Sequence, residues 1–147
     1  MKERMRGMKM AGMTADHFQH CPVHKISPSD SNKFVILCDG EVFPFVSVVE
    51  IFDVGGKTPP NEHSAAYEYF YVLSGEGKAT VGGETVPIRT GSFFVVEPGY
   101  VHEVENTGDR RLYVLTTMVP DEKFTALIRS GPKAALDEED MIALKGG

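Results

Sequence analysis

The chain has 147 residues, with 15 glycines, 9 prolines and 41% hydrophobic content. That apolar share excludes wholesale disorder, the density of breakers argues against a helix bundle, and the length suits one domain. Lys and Arg total 15 against 21 Asp and Glu, a net charge of −6, so no basic face is offered to nucleic acid.

Apolar runs such as Phe93–Val96 are far too short to cross a bilayer, so no membrane partner is expected. The two cysteines, Cys21 and Cys38, do not make a disulfide framework, and the expected setting is the cytoplasm.

In chain order, Met1–Met13 carries Lys2, Arg4, Arg6 and Lys9 with no apolar stretch behind them, which reads as an irregular arm and not a targeting segment. His17, His20, Cys21 and His24 follow within eight residues. Imidazole and thiolate suit zinc, but the spacing matches no strong zinc pattern, and Pro22 interrupts any helix that would align them. The plainer reading is a segment packed across the domain.

From 33 to 118 nearly everything reads as strand and turn. Eight runs rich in Val, Phe, Tyr and Ile are expected as strands: 33–38, 44–54, 68–73, 78–81, 85–88, 92–96, 101–105 and 111–117. Gly- and Asp-containing turns separate them, among them Gly75-Glu76-Gly77, Gly82-Gly83 and Pro98-Gly99. No helix of crossover length lies between them, which excludes a doubly wound parallel sheet. Beyond Pro120, Phe124, Leu127 and Ile128 recur at helical spacing, and a second helix is expected over 136–144. The expected organisation is therefore an arm over 1–32, a β-barrel over 33–118 and a helical segment over 119–147, its two helices covering one face.

Strand parity then selects side chains. Glu68 shares a face with Phe70 and Val72, and Tyr69, Tyr71 and Leu73 share the other. Both faces are apolar, so both should be covered, by the terminal segments or by a second subunit in a homodimer. An isolated carboxylate heading an inward apolar row is costly unless it is paired or holds a cation. His102, Val104 and Asn106 share a face in the same way, and Asn61 and His63 share parity against Glu62. His63, Glu68 and His102 thus form a plausible inward triad, a set that leaves coordination positions open on a metal. The alternatives are ordinary ones: His63 at the surface, Glu68 paired with Arg89 or Arg111, and His102 capping a turn.

These residues also resemble a known family. The stretch from Gly56 through His63 and Glu68 to Gly75 resembles the first conserved motif of the cupins, and Gly91 through Pro98-Gly99 and His102 to Asn106 resembles the second. The resemblance implies an all-β, antiparallel jelly-roll barrel, often dimeric, with a pocket inside. It also implies three metal ligands, His63, Glu68 and His102, while Asn61 stands where the family's first motif histidine would be. Asn61 could offer a carbonyl oxygen or leave its place to water or substrate, and Asn106 would support a turn.

The implied cofactor is a divalent transition metal: iron, zinc, manganese or nickel. The function expected is that of a metal-dependent enzyme on a small chelating metabolite, with dioxygenase, isomerase or lyase chemistry; the alternative is a non-catalytic small-molecule binding barrel. Phe70, Phe94 and Phe45 are expected as an apolar wall. Tyr67, Tyr100 and Glu62 are candidates for moving a proton at the rim, and Tyr100 is counted with the catalytic residues.

Overall fold

β-branched and aromatic residues at alternating positions produce short strands, each closed by a glycine or proline turn. A computed structural model describes residues 8–10 and 12–146. In chain order these form β1 (Met8–Met10), β2 (Met13–Ala15), a 3-10 turn (Phe18–His20), β3 (Val23–His24), β4 (Lys33–Cys38), β5 (Val46–Phe52) and β6 (Tyr67–Ser74). They continue with β7 (Glu76–Val81), β8 (Glu84–Arg89), β9 (Phe93–Val96), β10 (His102–Asn106), β11 (Leu112–Val119), α1 (Phe124–Arg129) and α2 (Glu138–Lys145). Each of the eight expected strands has its counterpart in β4 to β11. The very short β1, β2 and β3 carry no periodic signal and were not foreseen. Most of the arm expected over Met1–Met13 lies outside the described residues.

A six-stranded sheet of order β3-β4-β5-β11-β6-β9 faces a three-stranded sheet of order β10-β7-β8, and every pairing is antiparallel. This is the jelly-roll architecture. The segment from Gly56 to Asn61 widens the small sheet by running beside β10: Asn61 and His102 exchange backbone hydrogen bonds of 3.0 and 2.8 Å, and Thr58 N–H donates to the Val104 carbonyl at 2.9 Å.

Between the sheets Phe52, Phe70, Val72 and Val114 from the large one meet Ala79, Ile88 and Val104 from the small one. Each such side chain, fully buried, contributes roughly 1.5–3 kcal/mol. On the same face of the large sheet, Phe34, Ile36, Val48 and Met118 pack against Ile128 and Phe124 of α1. On the opposite face Val35, Val49, Ile51 and Tyr113 are covered by Phe18, Val23, Leu136 and Leu144. The two helices therefore cover opposite faces, not one. Alternation along β4 and β5 demands this, because both parities are apolar there and each needs its own lid.

Strand β6 departs from the expected two-sided cover. Leu73 packs beneath the C-terminal segment, while Tyr69 and Tyr71 stay 38% and 36% exposed on the outer face of the single chain. α2 is fixed by Asp140, which is fully buried and bonded to Lys33, to Arg111 at 3.0 Å and to the Tyr113 hydroxyl at 2.8 Å. Asp140 and Asp137 also close a reciprocal capping box at the helix N-terminus. Arg111 is thus committed to Asp53, Asp137 and Asp140, which removes it as a partner for Glu68.

Candidate metal centre and pocket

The inward row of β6 places Glu68 where its register partner on β9 is Val96 and on β11 Met118, both buried. Among the described residues no Lys or Arg pairs with it. Its Oε1 lies 3.0 Å from His63 Nε2 and 3.0 Å from His102 Nε2. His102 leads β10, directly after the Pro98-Gly99 turn, and Gly99 has φ 86°, the left-handed conformation that glycine adopts without strain. The three ligand atoms lie within 4.8 Å of one another, and no other cluster of His, Cys, Asp or Glu with such geometry occurs among the described residues.

The rings are held from behind. His102 Nδ1 is 3.2 Å from the Tyr100 carbonyl, which can only accept, so Nδ1 carries the proton and Nε2 is the nitrogen left for a cation. The ring packs edge-on to Phe70, centroids 6.1 Å apart, and Phe70 stacks on Phe94 at 4.5 Å. His63 sits on the loop before β6. Glu122 grips that loop, accepting from Ala65 N–H at 2.9 Å and from the Ser64 hydroxyl at 3.4 Å.

Electrostatics follows from this arrangement. The Glu68 bond holds the His63 pKa above its ordinary value against the opposing effect of burial. For Glu68 burial is the largest influence and acts upward, but the bonds to His102 and His63 together outweigh it and hold the carboxyl below its usual range. Three basic atoms converging this closely need a proton or a metal ion between them. Donors about 2.1 Å from an ion, on adjacent octahedral positions, would stand about 3.0 Å apart, which is the spacing of Glu68 Oε1 from each histidine. The donor set fits a divalent transition metal.

Asn61 lies at the edge of this cluster, its Nδ2 3.4 Å from His63 Nε2 and its Oδ1 accepting from Glu62 N–H at 2.9 Å. Glu62 lies at the mouth of the cavity and makes no contact with the three ligand atoms. Tyr100 is not brought to the cluster. Its ring lies against Gly82 at a separate depression, half exposed, and only its backbone carbonyl serves the site. Tyr67 is likewise exposed. Asn106, 1% exposed, spends its amide on the carbonyls of Phe52, Asp53 and Arg110 and on Gly108 N–H, so it holds a turn and has nothing left for a ligand.

The N-terminal histidines do not converge. His17 caps the 3-10 turn, His20 bonds Asp16 at 3.0 Å, and buried His24 lies 3.1 Å from the Gly131 carbonyl. Cys21 packs into the outer core, and burial pushes its thiol up to about 11.

The cluster opens into a cavity of about 440 Å³. Its apolar wall is Phe34, Phe70, Val104, Phe124 and Leu127; Phe45 stacks on Phe43 and is not part of it. Lys57 and Lys123 stand at the mouth. A larger depression of about 1040 Å³ between the β6–β7 turn and α2 includes none of the three cluster residues. What sequence reasoning missed is Glu50, a second acid in the cavity wall, 6% exposed. Burial pushes its carboxyl up to about 8, against the 2.9 Å bond it accepts from Asn32 Nδ2. The argument that singled out Glu68 applied equally to the row Val46, Val48, Glu50, Phe52.

Residues 48–118 match the family model for the cupin domain. The chain carries a cupin domain. An oxalate-binding protein of Thermotoga maritima is 33% identical over 69 residues, 43% of this chain and 57% of that one. An uncharacterised protein of Methanocaldococcus jannaschii is 31% identical over 70 residues, 48% of this chain and 56% of that one. The chain thus spans a little over half the length of these curated relatives. Among solved structures, one described as a predicted oxalate decarboxylase of T. maritima superposes with a TM-score of 0.65 at 22% identity, over 71% of this chain and 96% of that one. The cupin domain of Schizosaccharomyces pombe Cnp3 does so with 0.58 at 21%, over 76% and 77%. At these identities the likeness speaks for the fold. No helix among the described residues is long and apolar enough to cross a membrane.

Proposed function

We propose that this cupin is a metal-dependent enzyme acting on a small, metal-chelating organic acid. The observation that carries the reading is the convergence of His63, Glu68 and His102 in the lining of a cavity with an apolar wall. A divalent metal held by these three residues would supply Lewis acidity toward a chelated carboxylate or carbonyl. Glu68 and His102 stand on strands of opposite sheets and set a rigid edge; His63 stands on the Glu122-held loop and can adjust. The apolar wall keeps water from the bound acid, and Lys57 and Lys123 offset the acids Asp30, Glu62 and Glu122 that share the lining. Which of dioxygenation, isomerisation or lyase chemistry follows is not set by the fold.

Asn61 supports a second reading, a binding barrel without catalysis. It supplies an amide where the family pattern has a histidine, and the T. maritima relative is named for binding oxalate, not for turning it over. The proposed ligands are His63, Glu68 and His102, with Asn61 as a fourth position if its amide turns its oxygen toward the ion. A homodimer is also proposed, supported by exposed Tyr69, Tyr71, Phe93 and Val95 on β6 and β9; sedimentation at the mass of one chain would remove it. Two free thiols suit a cytoplasmic setting.

The test is elemental analysis of protein purified without added metal, beside His63→Ala and His102→Ala. About one equivalent of transition metal in the wild type and far less in both variants is expected on a three-ligand site. Equal, low metal in all three overturns the reading.

A further inference from the structure

The cavity holds two carboxyl groups, and only one belongs to the metal cluster. Glu50 lies on the same face of the large sheet as Glu68, displaced across it. Val114 of β11 is the register partner of both Glu50 and Val72, and Glu68 is four residues before Val72 on β6. Two strand spacings and four residues of rise separate their backbone positions, while the curl of the sheet keeps the two carboxyls close enough for Glu68 to help raise that of Glu50. Glu50 marks the far end of the cavity and is not part of the cluster.

Its bonding is one-sided. Asn32 Nδ2 donates to Oε2 at 2.9 Å, so Oε2 serves as the acceptor. Oε1 has no hydrogen-bond partner among the described residues and is not among the fully enclosed atoms, so it opens to the cavity that Glu50 lines. Phe34 is its register neighbour on β4 and Val114 on β11, and neither offers an acceptor. Burial favours the neutral acid, which places the proton on Oε1. Open to the cavity and unclaimed by the protein, this hydroxyl is free to donate to whatever enters there.

We propose that Glu50, oriented by Asn32, is the distal recognition group of the pocket, donating a hydrogen bond to the far oxygen of a small organic acid longer than oxalate whose near end binds at His63, Glu68 and His102. This rests on the metal-site reading above and adds to it a length requirement on the ligand. An acid reaching both ends satisfies the Oε1 donor and keeps its chain against Phe34 and Phe124. Oxalate, at two carbons, meets only the cluster.

The experiment is calorimetric titration of the metal-bearing protein with oxalate, malonate, succinate and glutarate. Wild type, Glu50→Met and Glu50→Gln are compared, with the metal content of each measured first. The ratio of wild-type to Glu50→Met affinity cancels the intrinsic chelating power of each acid. Expected is a ratio near one for oxalate and at least about tenfold for one of the longer acids, with metal content unchanged, since a lost charge-assisted or buried hydrogen bond is of that order. Glu50→Gln keeps an acceptor for Asn32 and a donor for the ligand, so it should stay within about threefold of wild type. A ratio within threefold across the whole series overturns the proposal and leaves the metal site standing. So does an equal loss for oxalate, which reports a distorted pocket, and so does metal-loaded wild type that takes up none of the longer acids. Wild type without metal overturns both.

Discussion

Replacing Glu50 by Gln is expected to stabilise the protein, increasingly as pH rises from about 4.5 to about 8. In the folded chain burial raises the Glu50 carboxyl from an ordinary 4.5 to about 8, while the unfolded chain keeps the ordinary value. Between these values the folded state holds a proton that the unfolded state has released, so stability falls as pH rises. Each unit costs about 1.4 kcal/mol, which accumulates to about 3 kcal/mol by pH 7 and to a ceiling of about 5 kcal/mol above pH 8. The amide of Gln cannot ionise, matches Glu in volume and still accepts from Asn32. Urea melts of both proteins from pH 5 to pH 9 are the assay. The curves should nearly coincide at pH 5 and separate steadily to pH 8, the variant above. Asp30 and Glu68 repel a charged Glu50 and so add to the effect, and Gln removes that repulsion along with the charge. A constant gap, or a variant less stable at pH 8, would refute the assignment of a neutral Glu50.

Three further outcomes follow from the packing. Asp140→Ala should cost about 3–5 kcal/mol in denaturant melts, because it strips the buried partners of Lys33, Arg111 and the Tyr113 hydroxyl together; a loss below about 1 kcal/mol would show that the cluster is not cooperative. Gly131→Ala should fold poorly or not at all, since its Cβ would run into the Lys25 and Ile26 backbone, which cannot yield as a side chain can; a normal thermal melt contradicts this. Glu122→Ala frees the loop carrying His63 and should weaken metal retention about tenfold against a competing chelator, an effect on the scale of outer-shell substitutions at metal sites, with unchanged retention as the refuting result.

The principal strands were readable from short runs of Val, Ile, Phe and Tyr between turns, alternating where one face is buried, as in β10, and continuous where both are, as in β4 and β5. In β6 parity separates buried Glu68, Phe70 and Val72 from exposed Tyr67, Tyr69 and Tyr71, although the cover expected over the tyrosines is absent from the single chain among the described residues. The His63–Glu68–His102 cluster was legible from the same parity together with turns that fix where β6 and β10 begin. What escaped is non-local. Nothing in the spacing of Asp137 and Asp140 says that Arg111, Lys33 and Tyr113 meet them, and nothing in Phe45 shows that it turns away to Phe43. Tyr100 lies two residues before His102 and outside β10, so strand parity does not carry over to it, and its ring lies against Gly82 instead of the cluster.

Glu50 and Glu68 began as the same sequence pattern, one acid in an inward apolar row, and the fold separates them by what it sets opposite each. Glu68 faces two imidazole nitrogens at 3.0 Å, which favour its charged form beyond what burial costs. Glu50 faces a single amide and hydrocarbon, and the same burial keeps it neutral. An anionic acid and a neutral one at opposite ends of a cavity are complementary to different parts of a ligand: the first holds a cation, the second donates a proton or a hydrogen bond. Exchanging their surroundings would abolish that polarity even with both glutamates retained. Placing a cation opposite Glu50, as Asn32→Lys would, should turn Glu50 into a second carboxylate and remove its preference for longer acids while leaving metal content at the cluster unchanged.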